Sequence, residues 1–216
     1  MSKNTIYFLI EARYSSTRLP GKVLKKIYKN YLAIDYVIAN IVNAGISKKN
    51  IIVVTPKGSD NSKIWKYIKN KHSIKIFKGS EQNVFERVYN CCKKYRVKAF
   101  ARITSDNLFL DPIFLKKACK EFQNNKKIDY LSSLTMDYSP KWNLKSDYNI
   151  GSSIEILKFN IMRRVKPLVN NSNCEYPTWL IFSQPNLFKL KKFKLINEYS
   201  NFKVKKYRTT LDIALD

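Results

Sequence analysis

Histidine is almost missing from this chain: His72 is the only one in 216 residues. Ser–His or Cys–His nucleophilic machinery that does not use it is therefore excluded. His72 stands in the polar stretch Asn70-Lys71-His72-Ser73, which predicts a solvated surface ring. Acidic residues are few as well, 16 against 41 Lys and Arg, for a formal charge of +25. The four cysteines (Cys91, Cys92, Cys119, Cys174) contain no CxxC pair. A bridge between adjacent Cys91 and Cys92 would be strained, so all four read as reduced helix residues. No run reaches the roughly 20 apolar residues of a membrane span. Residues 6–10 are too short a stretch for the core of a secretion signal. The expectation is a cytoplasmic protein without a membrane segment.

Arginine is scarce too, with 8 Arg beside 33 Lys. Arg is the residue suited to bidentate phosphate and base contacts, and the Lys residues are scattered over amphipathic segments instead of forming one block. Nucleic acid is therefore not the expected partner, despite the charge. Attraction of a polyanionic small substrate accounts for it more simply. A hydrophobic content of 44% and 13% aromatics suffice for a buried core.

The first half alternates strand and helix. Residues 6–11 form a continuous apolar run of buried-strand type. Ile34, Val37, Ile38, Ile41 and Val42 fall on one helical face, closed by Gly45. Strands are expected over 51–55, 74–77 and 99–103. Helices are expected around Ile64, Trp65 and Ile68, with Asp60 or Asn61 as cap, and around Val84–Cys92. After Asp111-Pro112 comes a helix through Phe114, Leu115, Ala118, Cys119 and Phe122, which Asp111 can cap. Beyond it the reading is a strand over 151–157, helices over 161–169 and 176–182, and basic strands over 189–194 and 203–208. This order predicts one three-layer α/β/α domain over residues 1–216, with a mostly parallel sheet and an irregular arm over about 134–185. The stretch Tyr138–Tyr148, with Trp142 at its centre, is too apolar for a free loop and reads as a dimer arm.

Parallel sheets bind ligands at the carboxyl ends of their strands. There the first strand runs into Ala12-Arg13-Tyr14-Ser15-Ser16-Thr17-Arg18-Leu19-Pro20-Gly21-Lys22. Hydroxyls, two Arg, a Gly and a Lys directly after a buried strand suit a triphosphate, although GxxxxGK[ST] is absent.

This loop, continued through Val23-Leu24, resembles the N-terminal signature of the cytidylyltransferases that make CMP-sugars. It is similar to the 3-deoxy-manno-octulosonate and acylneuraminate enzymes and, closer still, to the spore-coat polysaccharide biosynthesis protein F family. Three further blocks are similar to that last family: Phe77-Lys78-Gly79-Ser80-Glu81-Gln82-Asn83-Val84-Phe85-Glu86-Arg87; Ala101-Arg102-Ile103-Thr104-Ser105-Asp106-Asn107-Leu108-Phe109-Leu110-Asp111-Pro112; and Arg208-Thr209-Thr210-Leu211-Asp212. The likeness spans essentially the whole chain.

What the resemblance implies is a nucleotidyltransferase of the glycosyltransferase-A-like type that moves CMP from CTP to an anionic acceptor in surface-glycan biosynthesis. By position, Asp106 and Asp212 would bind Mg²⁺ or Mn²⁺. Arg13 and Lys22 would hold the outer phosphates, helped by Arg18, Ser15, Ser16 and Gly21. Ala12, Gly79 and Ser80 would approach the base and ribose, with Thr104 and Ser105 beside the nucleotide. Arg102, Glu155 and Glu175 are acceptor-side candidates, Arg102 serving equally as a strand-end ion pair. A homodimer is implied. A glycosyltransferase of the same fold and a degenerate nucleotide-binding relative are the alternatives. Glu11 departs from the family pattern by placing a negative charge beside the phosphate loop, and Asn107-Leu108-Phe109 and Ile213-Ala214-Leu215 depart within their blocks.

Overall fold

The apolar run that opens the chain forms β1 (Ile6–Glu11), and it is buried on both faces. Side chains of a strand point alternately to either side. Phe8 and Ile10 join one core, while Leu9 joins the other. The same alternation splits Ile51 and Val53 from Ile52 and Val54, which is why these strands read as continuous apolar runs.

In chain order there follow β2 (Lys26–Tyr28), β3 (Tyr31–Leu32), α1 (Ala33–Asn43), β4 (Ile51–Pro56), α2 (Ser62–His72), β5 (Lys75–Gly79), α3 (Val84–Lys94), β6 (Ala99–Thr104) and α4 (Pro112–Asn124). The remainder holds β7 (Tyr130–Ser132), β8 (Leu134–Met136), β9 (Leu144–Ser146), β10 (Glu155–Lys158), α5 (Phe159–Val165), α6 (Trp179–Phe182) and β11 (Leu190–Lys192). This computed structural model describes residues 5–16, 18–136, 144–146, 152–175, 178–182, 187–192 and 210–211, with 134–136, 144–146, 179, 182 and 192 by backbone alone. Most of the expected arm stretch 138–148 lies outside the described residues.

The main sheet has seven strands in the order β11-β7-β10-β6-β1-β4-β5. Only β10 runs antiparallel to its neighbours. Helices α1, α2 and α4 pack on one face and α3 and α5 on the other, the expected α/β/α arrangement. From β1 the chain steps outward to β4 and β5, then returns to β6 on the other side of β1. The order therefore reverses between β1 and β6, and a crevice opens at their carboxyl ends.

Local signals account for the helix ends. Asp111 caps α4 by accepting from the Ile113 N–H at 2.7 Å, and Asn83 caps α3 by accepting from the Glu86 N–H at 2.8 Å. Gly45 closes the end of α1 at φ +87°, a left-handed conformation that glycine adopts without steric cost. Four expectations need correction. Asn61 stands at the start of α2 but does not cap it, because its side chain is bonded elsewhere. The strand expected over 151–157 begins only at Glu155. The helix expected to 169 gives way after Val165 to a 3₁₀ turn over Lys166–Leu168, where Pro167 has no N–H to continue it. Cys174 is buried in a turn instead of a helix, while burial pushes the Cys91 and Cys119 thiols up to about 12. Among the described residues, no helix is long and apolar enough to cross a membrane.

His72 also departs from expectation. Its ring lies 2.6 Å from buried Asp35, which further accepts from Lys71 at 2.8 Å, from the Tyr67 hydroxyl at 2.7 Å and from the Leu32 N–H. Burial opposes the Asp35 charge, yet Lys71, Tyr67 and Leu32 outweigh it and hold the carboxyl below its ordinary 3.8. The Asp35 hydrogen bond correspondingly lifts Lys71 to about 12. A carboxyl depressed by folding stabilises above its unfolded pKa and loses that contribution as pH falls through the folded value. A lysine raised by folding loses its contribution as pH climbs through the folded value. The urea midpoint should therefore fall below about pH 4 and above about pH 11 in wild type. Asp35→Asn, less stable at pH 7, should show a flatter profile at both ends. A variant curve parallel to wild type would dismiss the cluster as a stabilising unit.

Candidate active site

Glu11 ends β1 and the chain turns into the basic loop. Its path is set by backbone bonds: the Ala12 N–H donates to Val54 O at 3.1 Å, and the Gly21 and Ser16 N–H groups both donate to Tyr14 O, at 2.8 and 3.0 Å. The Tyr14 N–H is held by the side-chain oxygen of Asn61, from the segment after β4, at 2.9 Å, and Asn61 is fully buried. Asn61, expected as a helix cap, is thus a loop-shaping residue instead. Gly21 sits at φ +70°, and a Cβ there would come within 3.2 Å of the Tyr14 ring. Only glycine satisfies both demands at low cost. Ser16 is buried and Ser15 exposed. The Arg13 guanidinium is half-exposed, reaching Glu175 at 3.4 Å.

From this loop Lys22 projects back over the strand ends. Its ammonium donates to Asp106 Oδ2 at 2.5 Å, with both side chains largely covered. Residues 84 apart in sequence, assigned to phosphate and to metal, meet at the point where the strand order reverses. Asp106 lies in the turn after β6, which is fastened by Ser105 N–H to Glu11 O and by Thr104 Oγ1 to Asn107 Oδ1. Leu211, one residue before Asp212, donates its N–H to Asp106 O at 3.3 Å. Asp212 itself is outside the described residues. No group of three or more His, Cys, Asp or Glu offers another metal site among the described residues.

Glu11 and Arg102 explain one another. Arg102 donates to both Glu11 oxygens at 2.8 Å and to Glu155 Oε2 at 3.2 Å, and the Tyr130 hydroxyl donates to the other Glu155 oxygen. A single polar row thus crosses β1, β6, β10 and β7. Burial opposes the Arg102 charge, but Glu11 and Glu155 outweigh it and hold the guanidinium protonated beyond its ordinary value. The sequence signal for this row was an Arg inside a buried strand, which demands a partner. Arg102 and Glu155, both read as acceptor-side candidates, are joined here to each other.

The second block begins at the end of β5, the edge strand on the β4 side of the sheet. Its Gly79 O accepts from Lys57 N–H, and its Ser80 O accepts from Arg87 Nη1 at 2.6 Å. A Cβ on Gly79 would meet the Arg87 Cγ and the Phe77 ring, both at 2.8 Å. Arg87 is buried, its Nε has no partner among the described residues, and that burial pulls its basicity down. It braces the turn after β5 through the Ser80 carbonyl, a role the sequence reading missed.

A model of the cytidylyltransferase family matches residues 7–213 of the chain. The chain belongs to the cytidylyltransferase family. It is accordingly a nucleotidyltransferase, as the four blocks implied. The chain is 25% identical over 219 aligned positions to the spore coat polysaccharide biosynthesis protein SpsF of Bacillus subtilis, spanning 99% of this chain and 83% of that protein. Among solved structures, a cytidylyltransferase from Leptospira borgpetersenii superimposes with a TM-score of 0.80 at 22% identity, covering 96% of this chain and 81% of the other. A CMP:2-keto-3-deoxy-manno-octonic acid synthetase complexed with CTP superimposes at 0.63 with 13% identity, covering 88% and 89%. At such identities the two structures speak for the fold.

Proposed function

We propose that this cytidylyltransferase moves CMP from CTP to an anionic sugar or phosphonate acceptor, with release of pyrophosphate, in surface-polysaccharide biosynthesis. The observation that carries the reading is the meeting of Lys22 and Asp106 at the reversal of strand order, 2.5 Å apart. A fixed cation and a hard carboxylate at one sheet edge are the parts that phosphoryl-type transfer needs. The names of the Bacillus protein and of the octonic acid synthetase, one a polysaccharide biosynthesis protein and the other using an acidic sugar, support the acceptor class.

In the reaction an acceptor oxygen, releasing its proton to solvent where it is a hydroxyl, bonds to the α-phosphorus of CTP. The bond from that phosphorus to the oxygen bridging the β-phosphate breaks, and this oxygen departs with pyrophosphate. Arg13 and Lys22, with Arg18 and the loop amides, bind the outer phosphates and offset the charge growing on the leaving group. Asp106, with Asp212, would hold Mg²⁺ or Mn²⁺. Asp106 suits such an ion, being a hard oxygen ligand that already faces a cation. When bound, such an ion supplies Lewis-acid charge to the phosphate oxygens. On the acceptor side, Glu175 stands at the rim beside Arg13. Arg102 and Glu155 serve as a charge-balanced wall, because each already has its counter-ion. The implied homodimer belongs to the same proposal, and a monomeric mass at micromolar concentration would remove it.

The test is a pyrophosphate-release screen of the four ribonucleoside triphosphates against acidic sugars and phosphonates, with and without Mg²⁺. Release with CTP alone, dependent on both acceptor and Mg²⁺, is expected. Release with another nucleotide in preference to CTP would overturn the cytidylyl assignment. CTP binding without turnover on any acceptor would make the chain a degenerate relative.

A further inference from the structure

The sheet edge opposite the active site carries a second cleft, of about 650 Å³. It opens where β1 and β6 begin and where the antiparallel β10 ends, with Ile6, Ala99 and Lys158 among its lining residues. A strand of six residues separates it from the phosphate loop, a span of about 20 Å. A cavity of this size holds a small organic ligand of nucleotide dimensions.

Its lining is one-sided in charge. Six cationic side chains surround it, namely Lys93, Arg96, Lys98, Lys126, Lys158 and Arg163, and no Asp or Glu lines it among the described residues. Two of the six have an occupation: Lys158 bonds Asp129 at 3.2 Å, and Arg163 lies over the Phe159 ring at 5.2 Å. Lys93, Arg96, Lys98 and Lys126 make no ion pair among the described residues. Like charges gathered at one mouth repel, so the arrangement favours an anion that relieves them.

The floor is different. Ile6, Val97, Phe122 and Phe159 line it, each less than a tenth exposed, so the cleft joins an apolar base to a basic rim. Arg96 adds a local anomaly. It occupies the left-handed position just past α3, at φ 51°, where glycine or asparagine is the usual choice. A local rule broken in favour of a cation facing a cavity is a pointer to a site.

We propose that this cleft is a second ligand site, for an organophosphate whose phosphate sits on the Arg96/Lys98/Lys126 rim and whose flat or aliphatic body lies on the Phe122/Phe159 floor. The phosphate and the apolar body are the recognised chemistry. Nucleotides and prenyl-type phosphates both present it. The site lies at the other edge of the sheet and does not depend on the transferase reading.

The experiment is isothermal titration of the whole chain with adenosine monophosphate, farnesyl phosphate and inorganic phosphate at about 0.15 M salt, where unspecific surface attraction is screened. At least one ester should bind with one-to-one stoichiometry and more tightly than inorganic phosphate. A triple charge reversal of exposed rim residues (Arg96→Glu, Lys98→Glu, Lys126→Glu) should weaken it tenfold or more, about the loss expected for charge-assisted hydrogen bonds. An equal reversal elsewhere (Lys29→Glu, Lys66→Glu, Lys69→Glu) should leave it unchanged. Whichever ester binds identifies the source. Three results would each overturn the site: no saturable binding of either ester below about 1 mM, equal loss in the two triple variants, or binding abolished by Arg13→Ala and spared by the rim reversal.

Discussion

Asp106→Asn should lower CTP-dependent pyrophosphate release on the order of 10³-fold, the scale lost with a preorganised charge contact or a metal-holding carboxylate. The fold should survive, because Asp106 sits in a turn at the sheet edge and the exchanged group is isosteric. The companion variant is Lys22→Met. Lys22 supplies a cation that Asp106 faces, and the two side chains are only 14% and 16% exposed. A divalent ion must displace that ammonium, whereas a triphosphate offers Lys22 another anion to hold. Metal and nucleotide should therefore enter together, each favouring the other. Wild type should bind Mn²⁺ weakly without nucleotide, as read from the paramagnetic signal of the free ion. Lys22→Met should bind Mn²⁺ better in the absence of CTP, bind CTP more weakly, and turn over on the order of 10²-fold more slowly. Asp106→Asn with wild-type turnover would remove the carboxylate from the chemistry. A Lys22→Met protein with no gain in nucleotide-free Mn²⁺ binding would show that the pair does not guard a cation site.

Arg102→Leu should cost about 3–5 kcal/mol of stability, the range for breaking a buried pair by removing one partner. For a chain of this size that is a fall of roughly 10 °C in the thermal midpoint. The cause is what remains: Glu11 and Glu155 would face each other across β6 without the guanidinium that both now touch. The triple change Glu11→Gln, Arg102→Leu, Glu155→Gln removes the charges as well and should recover much of the loss. Coupling of that sign is expected among groups of one network. Destabilisation should also ease on acidification, as the stranded carboxylates take up protons. An Arg102→Leu protein with an unchanged urea midpoint would mean the row is dispensable, and the Arg102 side chain would return to the acceptor pocket as a free charge.

What the linear chain determined is what local order can encode. The runs at 6–11, 51–55 and 99–103 announced strands because those strands are covered on both faces, and the spacing of Ile34, Val37, Ile38 and Ile41 announced α1 because one helical face is buried. The basic loop after β1 and the block around Asp106 were readable because each lies within a dozen residues. The short strands β7, β8 and β9, three residues apiece, were not, since three residues establish no period. Nor were the pairings that make the site. Glu11 reaches Arg102 across 91 residues, Lys22 reaches Asp106 across 84 and Tyr14 reaches Asn61 across 47. Such contacts depend on strand order and register, above all on the return of the chain to the far side of β1 at β6. Sequence pattern reports whether a side chain is buried; only the assembled sheet decides which charge it meets there. That is why Glu11 looked like an intruder beside the phosphate loop and is instead the counter-ion of Arg102, and why His72 looked solvated and is bound to Asp35.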